Sequence, residues 1–495
     1  MITTSKNSGK TKEFSWKNLF DVLSPGKSKN KEFAIITYLF MAFFICLIGY
    51  FIYFQAFKSE EIISSAYNPR LSSFAEHVVR GDIISSDGAV LATTELKEDG
   101  SQQRVYPYND MFAHAVGYAS NGNYGVESTE NFSLMRSHSF FLLQILNDIR
   151  DEKNQGDTVV TTLDYDVQEA AYEALGNQRG AVVAIEVETG KILGMVSKPD
   201  FDPNTIESNW DSIIENTDSA PLLNRATQGM YPPGSTFKIV TALEYIREQG
   251  LEADYHFDCE GEVTVNGTTI HCYKNAVHGE LNLESAFTHS CNTAFSSIGL
   301  ELNVTKWQNL ASQMLFNESL PVRLDYKQSQ FVLSVDDEEG KVMQTAIGQG
   351  DTQVSPLHMA MISAAIANDG VMMEAYVVDS VIRDNGSTVK AYKPSEYGSI
   401  MSKDEARSLQ SMMEEVVNSG TGTALSGQSY KAAGKTGSAE FGTIKGQSHA
   451  WFVGYGSKES YNDIAIAVIV ENGGAGSSTA APIAKRVFDV YFNQD

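Results

Sequence analysis

The sequence predicts an α+β fold, in which strands from both ends of one domain close a single sheet around a mostly helical middle. Two patterns carry that expectation. Residues 180–186 and 191–197 are apolar runs separated by a Thr189-Gly190 turn, the pattern of an antiparallel hairpin. Residues 449–455 and 463–470 are two further apolar runs of strand length, close to the C-terminus. The 495 residues are 42% hydrophobic, enough for a large core and for more than one domain. Lys and Arg total 37 against 62 Asp and Glu, a net charge of −25, which makes the chain a poor ligand for nucleic acid.

That charge is unevenly placed. Residues 1–32 carry seven lysines against Glu13, Asp21 and Glu32, and read as a polar, disordered tail. Residues 33–54 then contain no charge at all and are long enough to cross a bilayer core of about 30 Å as one helix. A soluble helix is seldom apolar on every face over such a length. The lysine-rich side is expected to stay in the cytoplasm, with everything after the span outside. No small-x-small cleavage pattern follows, since Gln55-Ala56-Phe57-Lys58 is a poor one, so the span reads as an uncleaved signal anchor.

Residues 55–156 mix short strand-like and helical pieces, among them Asn68-Pro69-Arg70 and Arg80-Gly81-Asp82-Ile83-Ile84, with an Asp87-Gly88 turn before Ala89-Val90-Leu91. A clearer domain begins at 157. Residues 158–162 read as a strand, and Asp164 is placed to cap a helix with Val167, Ala170, Ala171, Ala174 and Leu175 on one face. After the 180–197 hairpin, Pro232-Pro233-Gly234 blocks an early helix start, so a helix begins at Ser235. Its apolar face is Ile239, Ala242, Leu243 and Ile246, and Gly250 ends it.

Of the four cysteines, Cys46 lies in the span and Cys291 in a later motif. Cys259 and Cys272 flank a hairpin turning at Asn266-Gly267. Outside the cell a disulfide between Cys259 and Cys272 is favoured over two thiols. A zinc site combining these cysteines with His271, His278 and His289 lacks the C-x-x-C or H-x-x-x-H spacing, so no metal is expected.

Three short motifs carry chemistry. Ser235-Thr236-Phe237-Lys238 puts a hydroxyl at a helix N-terminus, where free N–H groups and the helix dipole favour an oxyanion. Lys238, three residues on, shares the face of Ser235 and serves as base if burial and a second cation, Lys435, lower its pKa. In Ser290-Cys291-Asn292, the Ser290 hydroxyl suits a proton relay and the Asn292 amide can hold Lys238 or a peptide group. Lys435-Thr436-Gly437-Ser438 reads as an edge strand along which a substrate backbone can lie. The Thr436 and Ser438 hydroxyls with Lys435 suit a carboxylate, and Gly437 keeps the strand open. Each motif alone is unremarkable in a globular protein. The ordered trio is the pattern of serine acyltransferases that react with penicillin.

Together these residues resemble the penicillin-binding proteins, specifically the monofunctional class B transpeptidases. The likeness extends over nearly all of the chain beyond the span. Residues 80–92 resemble the pedestal signature of that class. Residues 180–185 through 197–204 resemble the start of its transpeptidase domain. Ile347-Gly348-Gln349-Gly350, Ser355-Pro356-Leu357 and Trp451-Phe452-Val453-Gly454 match further landmarks. The resemblance implies a transpeptidase domain of the penicillin-binding/serine β-lactamase-like type at 157–495, an antiparallel sheet flanked by helices, on a pedestal at 55–156.

It also implies an activity. Ser235 would attack the penultimate D-Ala carbonyl of a peptidoglycan stem peptide and expel the terminal D-Ala. A second stem's amine would then resolve the acyl-enzyme. Lys238 would be the general base, Ser290 the relay, Asn292 a positioning group and Lys435 an electrostatic one. The N–H groups of Ser235 and Ser438 would form the oxyanion hole, and β-lactams would trap Ser235. No cofactor is expected. Ser438 stands where the family usually has threonine, which keeps the hydroxyl while loosening the carboxylate site. The pedestal is too short for a glycosyltransferase, so a membrane polymerase of the SEDS type is the expected partner. A class A β-lactamase would need a Glu-x-x-x-Asn element between Asn292 and Lys435, which is missing. A D,D-carboxypeptidase would use the same serine with water as acceptor. A non-catalytic β-lactam sensor or scaffold would need a signalling domain that the short tail does not provide.

Overall fold

An unbroken apolar sequence forms a helix with no polar face, and helix α1 (Lys31–Tyr53) is one. Its Phe33–Tyr53 stretch has a mean hydropathy of 2.4 and is long and apolar enough to cross a membrane. Its large side chains are exposed. The computed structural model describes residues 31–54, 58, 78–138, 150, 153–440 and 447–493. All but the last two residues of the expected tail at 1–32 lie outside these, as do Asn68-Pro69-Arg70 and much of 55–77 and 139–152. The chain forms two units, 1–68 and 69–495.

Within the second unit, β1 (Ile83–Ile84), β2 (Val90–Leu96) and β3 (Gln102–Val105) precede β4 (Thr158–Thr161). Helix α2 (Tyr165–Leu175) follows, capped as expected by the Asp164 carboxylate, which accepts from the N–H of Val167. Then come β5 (Gly180–Glu186), β6 (Ile192–Lys198) and α3 (Lys238–Gln249). Four short strands, β7 (Phe257–Cys259), β8 (Glu262–Val265), β9 (Thr268–His271) and β10 (Gly279–Leu281), lead to α4 (Asn292–Glu301). Beyond them are α5 (Pro356–Ala367), β11 (Val378–Ile382), β12 (Thr388–Ala391) and α6 (Lys403–Asn418). The C-terminal part supplies β13 (Lys431–Glu440), β14 (Ser448–Ser457), β15 (Ile464–Val470) and α7 (Ala480–Tyr491).

The central sheet has the order β13-β14-β15-β5-β6 and is antiparallel throughout. Both of its faces are covered, and the strand period of two separates them. Ala181, Val183 and Ile185 face one core with α3 and α5, whereas Val182 and Ala184 face a second core with Val167, Leu175, Val487 and Phe488 of α2 and α7. A strand buried on both faces reads as a continuous apolar run, which is why these strands were visible in the sequence. The expected sheet closed by strands from both ends is therefore present.

β4 departs from that expectation. It belongs to a second sheet, β12-β11-β4-β1-β2-β3, where it pairs in parallel with β1 and antiparallel with β11. Strands from residues 83–105 and from residues 158–391 thus share one sheet. Arg80 is nearly buried there and donates to Glu127 Oε2 at 2.7 Å, Asn131 Oδ1 at 2.5 Å and the Glu127 carbonyl at 2.8 Å. Glu127 also accepts from Arg104 at 2.7 Å. A buried carboxylate needs such partners, so the signature arginine has a structural reason to be there.

Candidate active site

The three motifs converge. Pro232-Pro233 delays the helix further than expected: residues Gly234–Phe237 form a 3-10 turn and α3 begins only at Lys238. In a 3-10 turn positions i and i+3 eclipse, so Ser235 and Lys238 still share a face. Among the described residues the Ser235 side chain has no hydrogen-bond partner. Lys238, fully buried, instead donates to the Ser290 carbonyl at 2.7 Å and to Asn292 Oδ1 at 2.8 Å, with Ser290 Oγ at 3.3 Å. Lys435, also fully buried, donates to Ser290 Oγ at 2.8 Å and to the Thr436 carbonyl at 3.1 Å.

Ser290 is therefore the hub of the site. Its hydroxyl lies between both lysines and its backbone has φ +56°, a left-handed conformation rare for serine. Burial pushes the Lys238 pKa down to about 7. The sequence assigned that shift partly to Lys435. The structure gives it to burial, while Lys435 is itself held well below its usual range by burial and then by Lys238. A neutral Lys238 can accept the Ser290 proton while Lys435 Nζ donates to Ser290 Oγ, which makes a continuous path for a proton.

The third motif lies within β13, an edge strand of the central sheet as expected. Thr436 and Ser438 are two residues apart and so point to one side of the strand. Thr436 Oγ1 lies 2.6 Å from Thr421 Oγ1, and Ser438 Oγ accepts from the Gly476 N–H at 3.4 Å. Gly437 has a different role from the one expected. A Cβ there would approach Thr236 Cγ2 to 3.0 Å and the Pro233 carbonyl to 3.2 Å, so glycine lets β13 pack against the turn that bears Ser235. Gly348, φ +72°, works from the other side. A Cβ would come within 2.0 Å of the Gly234 carbonyl, and the Gly234 N–H donates to the Gly348 carbonyl at 2.9 Å.

One group of residues was missed and a second was paired differently from the expectation. Glu471, directly after β15, accepts from Tyr231 Oη and Arg225 Nε, each at 2.8 Å, and from Arg179 Nε at 3.0 Å. Tyr231 packs edge-on against Trp451, whose Nε1 donates to the Pro232 carbonyl at 3.1 Å. These contacts fix the approach to Ser235. An acidic residue ending a wholly apolar strand was the available signal.

The second group concerns the cysteines. The hairpin at Asn266-Gly267 is present, with both residues at positive φ. The expected Cys259–Cys272 disulfide is not formed: both are free thiols with Sγ atoms 3.7 Å apart, where a disulfide needs about 2.0 Å. Cys291 Sγ lies 3.6 Å from Cys272 Sγ, and His278 Nδ1 lies 3.3 Å from Cys259 Sγ. The pair is thus part of a four-residue cluster whose ligand atoms all fall within 4.8 Å of one another. His271 and His289, weighed earlier as partners, are not in it.

Two half-buried serines around fully buried lysines, beside an edge strand of a five-stranded antiparallel sheet, define an active-site serine acyltransferase of the penicillin-recognising type. Residues 180–489 match the penicillin binding protein transpeptidase domain, and residues 80–159 match the penicillin binding protein A dimerisation domain. The chain belongs to the class B penicillin-binding protein transpeptidases. It is 31% identical over 463 residues to the peptidoglycan D,D-transpeptidase PbpA of Mycolicibacterium smegmatis, covering 87% of this chain and 92% of that one. Penicillin-binding protein A of M. tuberculosis, solved as a ceftriaxone acyl-enzyme, superposes with TM-score 0.76 at 28% identity over 86% of this chain and 100% of that one. The D,D-transpeptidase domain of a peptidoglycan glycosyltransferase from Eggerthella lenta does so with TM-score 0.74 at 32% identity, covering 83% and 97%.

Proposed function

We propose that this chain cross-links peptidoglycan by D,D-transpeptidation through an acyl-enzyme on Ser235. One observation supports this above all. Lys238 is buried without a carboxylate partner and bonds to Ser290 and Asn292, so the amine is lowered into the range of a general base. Lys238 takes the Ser235 proton as Oγ attacks the penultimate D-Ala carbonyl. The N–H groups of Ser235 and Ser438 hold the oxyanion. The proton passes through Ser290 to the departing D-Ala nitrogen as the peptide bond breaks. The amine of a second stem then attacks the ester carbonyl, its proton passes through Lys238 to Ser235 Oγ as the ester bond breaks, and Ser235 is released as the free hydroxyl. Thr436 and Ser438 receive the terminal carboxylate, and a β-lactam enters by the same contacts.

In this reading residues 1–32 are a cytoplasmic tail, 33–54 a single-pass anchor, 55–156 the pedestal and 157–495 the catalytic domain outside the membrane. Glycan polymerisation falls to a membrane polymerase of the SEDS type. The test of the nucleophile is labelling by fluorescent penicillin. Wild type should form one stable adduct that peptide mapping places on Ser235, and Ser235→Ala should form none. An adduct that persists in the variant would reassign the site.

A further inference from the structure

We propose that Thr421, in the loop after α6, is a positioning residue for the substrate's terminal carboxylate, because it turns the Thr436 hydroxyl proton toward that carboxylate. The inference rests on the reading above in which Thr436 and Ser438 receive the carboxylate, and it adds the group that aims them. Thr421 Oγ1 lies 2.6 Å from Thr436 Oγ1, a short bond in which either hydroxyl can be the donor. An ionised carboxylate only accepts. Once it is bound, the direction of the chain is fixed: Thr421 donates to Thr436 Oγ1, and the Thr436 proton is left for the ligand. Hydroxyls linked in this way polarise one another, so the last donor is stronger than an isolated threonine.

Ser438 is supplied from behind in the same sense. The Gly476 N–H can only donate, and it reaches Ser438 Oγ at 3.4 Å, which leaves the Ser438 proton free as well. The two bonds differ in strength. The Ser438 contact is long and the Thr436 contact is short, so the aim of Thr436 carries more of the recognition. A serine at 438 also turns more freely than a β-branched threonine would, which moves still more of the selection onto the Thr421–Thr436 pair.

The chain is built to deliver Thr421 to this place. It stands between two glycines that allow close approach. A Cβ on Gly420 would come within 2.4 Å of the Thr288 carbonyl, just before Ser290 in the chain, and one on Gly422 within 3.2 Å of the Val416 carbonyl. The N–H groups of Gly420 and Gly422 donate to the carbonyls of Glu415 and Val416 at 3.2 and 2.8 Å, so the turn that ends α6 is itself fixed. The main chain of Thr436 has a separate anchor, since Lys435 Nζ donates to its carbonyl at 3.1 Å and to Ser290 Oγ at 2.8 Å. Among the described residues Lys435 pairs with no carboxylate, which leaves its positive charge for an anionic ligand. Thr436 is nearly buried and Thr421 half-buried, so the pair is shielded from the water that would otherwise scramble its direction. Thr421 touches no reacting atom and acts only through Thr436.

The test measures acylation of the full chain in detergent by benzylpenicillin and by its methyl ester, which keeps the reactive ring but not the carboxylate charge. Wild type should prefer the free acid. Thr421→Val keeps the shape of the side chain and removes its hydroxyl. It should slow acylation by the acid about tenfold, the scale of one hydrogen bond to a charged group, and leave the ester rate within about twofold. Thr421→Ser should recover most of the acid rate. In a Thr436→Val background, adding Thr421→Val should have no further effect, because no hydroxyl remains to be aimed. Thr421→Ala in the same assay answers the question if the valine variant fails to fold. Equal losses for acid and ester overturn the inference, as do additive losses in the double variant. A wild type that reacts equally with acid and ester removes the carboxylate site itself, and Thr421 with it. An acid preference that survives Thr421→Val removes Thr421 alone and leaves the transpeptidase reading standing.

Discussion

The two walls beside Ser235 are held in different ways. Residues 435–438 belong to a strand paired with β14 over ten residues, and their placement comes from main-chain bonds and from the close approach that Gly437 allows. Residues 290–292 belong to no strand. Beyond the main-chain bonds from Ser290 N–H to the Phe287 carbonyl and from Cys291 N–H to the Ala286 carbonyl, they are held by side chains: the two lysines, the Asn292 amide and the buried thiols. A main-chain wall yields to steric change and tolerates side-chain chemistry. A side-chain wall does the reverse, so single polar substitutions there should cost rate more than stability.

Lys238→Ala should have the largest effect, because it removes the base and its bonds to Asn292 Oδ1 and the Ser290 carbonyl. Penicillin acylation should fall at least a thousandfold. In wild type the sign of the pH dependence follows from burial. The lowered pKa leaves the free amine dominant above about 7, so the acylation rate should rise with pH through that value and then level off. A flat profile from about pH 6 to about pH 9 would remove Lys238 from the role of base.

A paired comparison comes next. Ser290→Ala should slow acylation about a hundredfold with a melting temperature close to that of wild type. Gly437→Val should instead destabilise the fold by about 2 kcal/mol, because its side chain meets Thr236 and Trp451. Equal losses of stability in the two variants would erase the distinction between the walls. The smallest effect should come from Glu471→Gln, which preserves shape but withdraws charge from the fully buried Arg225. Acylation should drop about tenfold, equivalent to about 1.4 kcal/mol at the barrier. Since Glu471 touches no reacting atom, its pH profile should keep the wild-type midpoint.

Legibility in the sequence followed the same division. β5, β6, β14 and β15 could be read because burial on both faces writes a continuous apolar run, and Ser235, Lys238, Ser290 and Lys435 because each lies in a short local motif. The second sheet could not. β1 has only two residues, too few for any period, and its parallel partner β4 begins only at Thr158, far along the chain. Glu471 was hidden for a related reason. It acts on residues far away in the chain, and a single carboxylate does not announce its partner. Cys291 was read only as the middle of a motif, although its side chain points to the thiol cluster rather than to the lysines.

The most direct test of the central claim is product analysis with a D-Ala-D-Ala stem-peptide donor and an acceptor stem bearing a free amine. The account predicts release of D-Ala together with a cross-linked dimer, both absent with Ser235→Ala. Release of D-Ala with free tetrapeptide and no dimer, at any acceptor concentration, would contradict it and make water the acceptor.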